Sequence, residues 1–201
     1  MTRAAAILVL VVALTAQPAL AAGPDGPGWA LAPDGAALRD MPAGETVREV
    51  APADILTATE ETAEVDGTLW RRLSQGDGPD LWVEEAALAP APLATFPGSD
   101  MPVAGICAGT EPFWSAAWDE SSMAVRFGLD EAEDRPASPA TPEGWRHGVL
   151  LAEGLTLVFE ARACPYSPVD GLVWGRGALV ETDGARRVFL GCCRPLPGAL
   201  R

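Results

Sequence analysis

Cys192 and Cys193 are adjacent, and that pair constrains the chain more than any other feature. Consecutive side chains on a strand point to opposite faces. Two thiols so placed need different partners, and the chain has only Cys107 and Cys164 to offer. A ring closed between Cys192 and Cys193 themselves would be strained. The expectation is two bridges that join Cys192 and Cys193 to Cys107 and Cys164, with the assignment open. Such bridges would tie one late strand to two earlier places and would suit a β-rich domain.

Bridges require an oxidising compartment, and the N-terminus reads as an address for one. Met1-Thr2-Arg3 is a short positive segment, Ala4 to Ala16 is apolar, and Ala19-Leu20-Ala21 is a small-x-small cleavage site after Pro18. This is the pattern of a secretory signal peptide over residues 1–21. The apolar run is short for a membrane span, so no membrane insertion is expected after cleavage. The localisation expected is periplasmic or secreted. Zinc is the competing use of four cysteines, but there is no C-x-x-C, and the only histidine, His147, is far off in sequence. No metal and no cofactor are expected.

Charge narrows the partners. Twenty-eight Asp and Glu face 14 basic residues, all of them Arg, for a net charge of −14. Neutralising phosphates takes clustered cations, so nucleic acid is excluded as a partner. With 21 Gly and 19 Pro, the chain favours short strands and many turns over long helices.

Residues 27–90 carry about five short strands. Gly28 to Ala32, Ala37 to Pro42, Thr46 to Val50, Ile55 to Val65, Leu69 to Leu73 and Leu81 to Val83 are separated by turn signals. Asp66-Gly67 is a two-residue hairpin turn. Strands this short predict a small, strongly bent barrel. Leu38-Arg39-x-x-Pro42, Val47, Val50, Asp66-Gly67-x-x-Trp70-x-Arg72-Leu73, Trp82-Val83 and Leu88 resemble the bacterial SH3-like module of many exported proteins. Leu81 departs from that pattern, which usually has Gly before the Trp-Val pair. The resemblance implies a binding unit for cell-wall peptide or a protein partner. Trp29, Trp70 and Trp82 are candidate ligand-binding residues, since an indole offers a large apolar face and one donor. The competing reading, favoured for Trp70 and Trp82, is that these rings are core residues of a tiny barrel that has few others; for Trp29 the two readings are even.

Residues 91–104 are rich in Pro and Ala and read as an extended, semi-rigid linker, with Phe96 and Met101 free to dock on either side. Residues 105–197 then read as six strands in three hairpins: Phe113 to Trp118 with Met123 to Gly128, Arg146 to Ala152 with Leu155 to Ala163, and Leu172 to Glu181 with Arg186 to Cys193. Asp130 to Glu143 is acidic and proline-rich and reads as an exposed loop. Short turns between six strands predict an antiparallel β-barrel or half-barrel. Cys107-Ala108-Gly109-Thr110-Glu111-Pro112-Phe113-Trp114, Cys164 and Gly191-Cys192-Cys193 resemble an exported bacterial family of unknown function, marked by Cys-x-Gly-x-Glu-Pro-Phe-Trp and a terminal Gly-Cys-Cys. The loop Pro165 to Gly171 keeps only fragments of that family's polar pattern.

The fold class expected is therefore all-β: a small SH3-like barrel followed by a disulfide-tied antiparallel domain. Glu111, Trp114 and Trp118 are further candidate ligand contacts; the two tryptophans, four apart, share one strand face while Phe113 takes the other. His147 has no nucleophile and third group beside it in any recognisable motif, and no catalytic residue is assigned. The function expected is an exported, non-enzymatic binding protein for cell-wall peptide or a periplasmic protein. Two alternatives stand: an inhibitor of a wall-degrading or proteolytic enzyme that inserts the Pro165 to Gly171 loop, and a hydrolase with an unrecognised carboxylate pair.

Overall fold

The computed structural model describes residues 28–74, 79–145, 147–164, 173–182 and 187–201. Residues 1–21, expected to be a signal peptide, and residues 165–171, expected to be a loop, lie outside them. The chain is all-β. In order it forms β1 Gly28–Leu31, β2 Ala36–Arg39, β3 Thr46–Val50, β4 Leu56–Val65, β5 Thr68–Ser74, β6 Leu81–Glu84, β7 Ala89–Pro90, β8 Gly105–Thr110, β9 Phe113–Trp118, β10 Ser122–Phe127, β11 Glu133–Pro139, β12 Gly148–Ala152, β13 Leu155–Cys164, β14 Val173–Glu181 and β15 Val188–Pro195.

The first seven strands make one sheet in the order β3-β2-β6-β5-β4-β1-β7. Its core is aliphatic and small: Ala30, Ala32, Leu38, Leu56, Ala58, Leu73, Leu81, Val83 and Leu88. The β4–β5 hairpin turns over Asp66 and Gly67, both at positive φ, as the sequence predicts for a primed turn. A bulge between Ala58 and Thr62 in β4 sets the Thr59 carbonyl free to accept from Arg71 Nη1 at 2.9 Å. Arg71 is buried, and its guanidinium also donates two parallel bonds to Glu85, at 2.6 and 2.7 Å. A forked guanidinium matched to one carboxylate satisfies both groups away from water.

The other eight strands close into an antiparallel barrel, β10-β11-β12-β13-β14-β15-β8-β9. Eight strands give an interior just wide enough to be filled by side chains. Trp114, Trp118, Met123, Leu150, Leu157, Phe159, Leu179 and Phe189 fill it. The room for those rings comes from glycine. A Cβ at Gly105 would come within 2.3 Å of the Trp118 ring, one at Gly109 within 2.3 Å of Trp114 Nε1, and one at Gly177 within 2.7 Å of the sulfurs of both Cys107 and Cys193. Large and small inward residues thus alternate to suit the bore.

Cys107 stands directly opposite Cys193 across β8 and β15, and the two are bridged inside the barrel. Cys192, on the other face, is bridged to Cys164 at the end of β13. The adjacent cysteines do take different partners.

Two strands of the barrel are absent from the six read in the sequence. β8 is short and glycine-bearing. β11 runs through the stretch expected to be an exposed loop, which corrects that expectation. β11 meets β10 over residues 133–136 and β12 over residues 137–139. Each half meets one neighbour only, so fewer backbone donors are needed and Pro136 and Pro139 are tolerated.

The segment 91–104 is stitched to the barrel. Ala94 N–H donates to Ala199 O at 2.7 Å, Arg201 N–H donates to Pro92 O at 3.1 Å, and Thr95 bridges to Pro102. Phe96 and Met101 are buried in the barrel core, and Trp118 Nε1 donates to Pro102 O at 2.9 Å.

Candidate functional site

Alternation decides what the first sheet shows to solvent. Leu38, Leu73, Leu81 and Val83 turn to the core, so their neighbours Arg39, Arg72 and Trp82 take the other face. Register then lines them up: Trp82 of β6 is opposite Arg72 of β5 on one side and Arg39 of β2 on the other. Trp82 is half-buried. Trp70, two residues before Arg72 on the same face, is buried, with the Arg39 guanidinium 5.4 Å from its ring centroid. An arginine over an indole face is held by the ring's negative potential.

The two arginines differ in what they have left to offer. Arg72 is paired with Glu61 and Asp80. The Glu61 hydrogen bond, opposed by burial and reinforced by Asp80, raises its pKa further above the arginine norm. Arg39 donates from Nη1 to Gly44 O at 2.6 Å and pairs with no carboxylate among the described residues. One indole face and one guanidinium without an acid therefore stand side by side.

The six residues singled out in the sequence are not brought to one place. Trp70 and Trp82 share the outer face of the first sheet. Trp29 leaves that sheet: its ring stacks on Phe159 of the barrel core, centroids 5.9 Å apart and planes 24° from parallel. Its Nε1 is buried with no hydrogen-bond partner among the described residues. Trp118 packs on the same Phe159 at 6.2 Å. Trp114 is sealed at the other end of the bore, where Nε1 donates to Leu190 O at 3.1 Å. Glu111 is exposed in the β8–β9 turn. What the Glu111-to-Trp118 stretch presents to water is Glu111, Pro112 and Phe113, with Arg126 5.6 Å from the Phe113 ring.

No family model matches the chain, and no curated protein and no solved structure matches it either. The site is therefore read from its own chemistry.

Sequence reasoning named Arg39 and Arg72 only within the SH3-like pattern and counted neither of them, nor Arg126, among the ligand-binding candidates. The signal for Arg39 was present: it follows the buried Leu38 and precedes a turn, so alternation alone sends it to the face of Trp82. Among the described residues no group of three or more His, Cys, Asp or Glu side chains converges as a metal site would require, and no helix is long and apolar enough to cross a membrane.

Proposed function

We propose that the protein is an exported, non-enzymatic binding protein of the periplasm, whose first sheet acts as an SH3-like docking unit for cell-wall peptide. The observation that carries this reading is the half-buried Trp82 flanked by Arg39, a guanidinium without a carboxylate partner among the described residues. Wall peptides offer carboxylates and short aliphatic side chains. A guanidinium takes the first and an indole face the second. The two bridges support a working place in an oxidising compartment.

The test is co-sedimentation of the mature chain with purified sacculi, beside Trp82→Ala and Arg39→Gln. The expected result is that the wild type pellets and each variant binds about tenfold or more weakly, the equivalent of about 1.4 kcal/mol. Equal pelleting of all three would remove the site. No pelleting of the wild type would remove the wall peptide as ligand.

A further inference from the structure

The two disulfides lie on opposite faces of β15 and differ in what can reach them. Cys107–Cys193 is sealed in the bore, with both residues at 1% exposure or less. Cys192 points outward and is half-buried, while its partner Cys164 is buried. A thiolate arriving from solvent therefore meets Cys192 before any other cysteine of the chain.

The surroundings of Cys192 favour that arrival. In a chain with a net charge of −14, strands β8, β9 and β15 carry no Asp or Glu. Register sets Arg176 of β14 and Ala108 of β8 opposite Cys192. Arg194, which is exposed, follows two residues on along the same face. Arg176 is shared with Glu160, but Arg194 and Arg176 together leave the neighbourhood of the sulfur cationic. Cations beside a sulfur favour its thiolate form.

What this bridge holds is a pair of strand ends. The β12 register with β13 stops at Gly148 and Phe159, and the β15 register with β14 stops at Arg176 and Cys192. Past those pairs, Ala163 and Cys164 of β13 pair with Trp174 and Val173 of β14. A bulge between Glu160 and Ala163 bends β13 at the point where this begins. Cys164 and Cys192 stand on strands two places apart, a separation of about 9.6 Å in a regular sheet. Their Cα atoms are 5.5 Å apart, so the bridge draws the β13–β14 end across onto β15. Gly175 closes on the joint there: a Cβ on it would come within 2.4 Å of Cys193 O and 2.9 Å of the Trp29 ring. Trp29 is the residue by which the first sheet stacks on the barrel.

We propose that Cys164–Cys192 is a redox latch, opened by a dithiol at Cys192, that holds the β13–β14 end down on Trp29 and so controls the joint between sheet and barrel. One thiolate of the dithiol attacks Cys192 Sγ. The bond to Cys164 breaks, and Cys164 leaves with the electron pair and takes up a proton. The second thiolate of the dithiol then attacks its own sulfur in the mixed disulfide and releases Cys192 as a thiolate. The dithiol is oxidised to its disulfide, and the latch is reduced by two electrons. Cys107–Cys193 is untouched and keeps the barrel closed.

The test titrates the mature chain with dithiothreitol, quenches with iodoacetamide, maps the labelled peptides by mass and follows amide exchange on the same samples. Cys164 and Cys192 are expected to label at reductant concentrations about tenfold or more below those needed for Cys107 and Cys193, whose exposure requires the barrel to open. Exchange should rise in residues 161–164 and 173–175 while β8 and β15 stay protected. Cys164→Ser combined with Cys192→Ser should show the same exchange without reductant, and the reduced wild type carries the test if that variant does not fold. Both bridges opening together, or Cys107–Cys193 opening first, overturns the proposal. Opening of Cys164–Cys192 with unchanged exchange also overturns it, and leaves that bridge a staple that controls nothing.

Discussion

The first sheet and the barrel are both antiparallel and contiguous in one chain, yet they are held together by different means. The barrel has a closed hydrogen-bond ladder, a bore filled with Trp114, Trp118, Phe159 and Phe189, and a disulfide inside it. The first sheet has free edges at β3 and β7, an Ala-, Leu- and Val-based core, and no cysteine. In place of an aromatic interior it uses a buried fork of Arg71 on Glu85. The difference teaches where rigidity and exposure have been placed. The barrel spends its aromatics on itself, whereas the sheet turns Trp82 outward and lends Trp29 to its neighbour.

The sharpest way to break this comparison is to open the barrel's cross-link. The Cys107–Cys193 bridge spans 86 residues. Loop-closure entropy assigns a loop of that size about 4–5 kcal/mol. Replacing both residues by alanine is expected to cost the barrel on that order. Amide exchange in β8, β9 and β13–β15 should accelerate, while β2, β5 and β6 stay protected. Equal loss in both regions would show that sheet and barrel open as one unit.

A smaller effect sharpens the joint between the two. Trp29 belongs by sequence to the sheet and by packing to the barrel, stacked on Phe159. A Cβ on Gly175 would come within 2.9 Å of its ring. Trp29→Ala removes a partly exposed ring, and the expected cost is about 2–3 kcal/mol, below the figure for a fully buried tryptophan. Calorimetry should then show the transitions of sheet and barrel further apart than in the wild type, and limited proteolysis should find new cuts within residues 91–104. An unchanged cleavage pattern would mean that the pairing of 91–104 with the C-terminal residues is enough to hold the joint without Trp29.

Much of this architecture was legible in the sequence, and the reasons differ by element. The hairpins over Asp66-Gly67, Asp119 to Ser122 and Glu153-Gly154 were legible because turn residues are local signals. The separate partners of Cys192 and Cys193 followed from strand alternation alone. β11 was illegible because Pro136 and Pro139 are local evidence against a strand, and only the closing barrel supplies its half-length pairings. That Phe96 and Met101 could dock on a neighbour was legible, but not that the neighbour is the barrel: a Pro-rich stretch looks like a spacer unless the cavity it fills is known. Of the outer face of the first sheet, Trp70 and Trp82 were found by residue type. Alternation could have put Arg39 on that face, but its place over Trp70 depends on β2 lying beside β6, which no local pattern encodes.

The smallest expected effect tests whether the barrel's outer charges matter to its stability at all. Glu160 lies between Arg162 and Arg176, and both donate to it. Partial burial pushes its carboxyl up, but the hydrogen bonds and charges of Arg176 and Arg162 outweigh that and hold its pKa below the ordinary carboxylate range. A folded-state pKa depressed in this way adds stability above the unfolded-state value of about 4.3, and that stability is lost as pH falls through the folded-state pKa. The site is partly open to solvent, so the contribution stays under about 1 kcal/mol. Thermal melts of the wild type and Glu160→Gln should therefore differ slightly at pH 7 and converge as the pH drops into the range where Glu160 is protonated. A constant difference across that range would show that the glutamine loses packing rather than charge. The barrel would then owe its stability to its bore and bridges alone, and the arginines of its wall would be free of any structural duty.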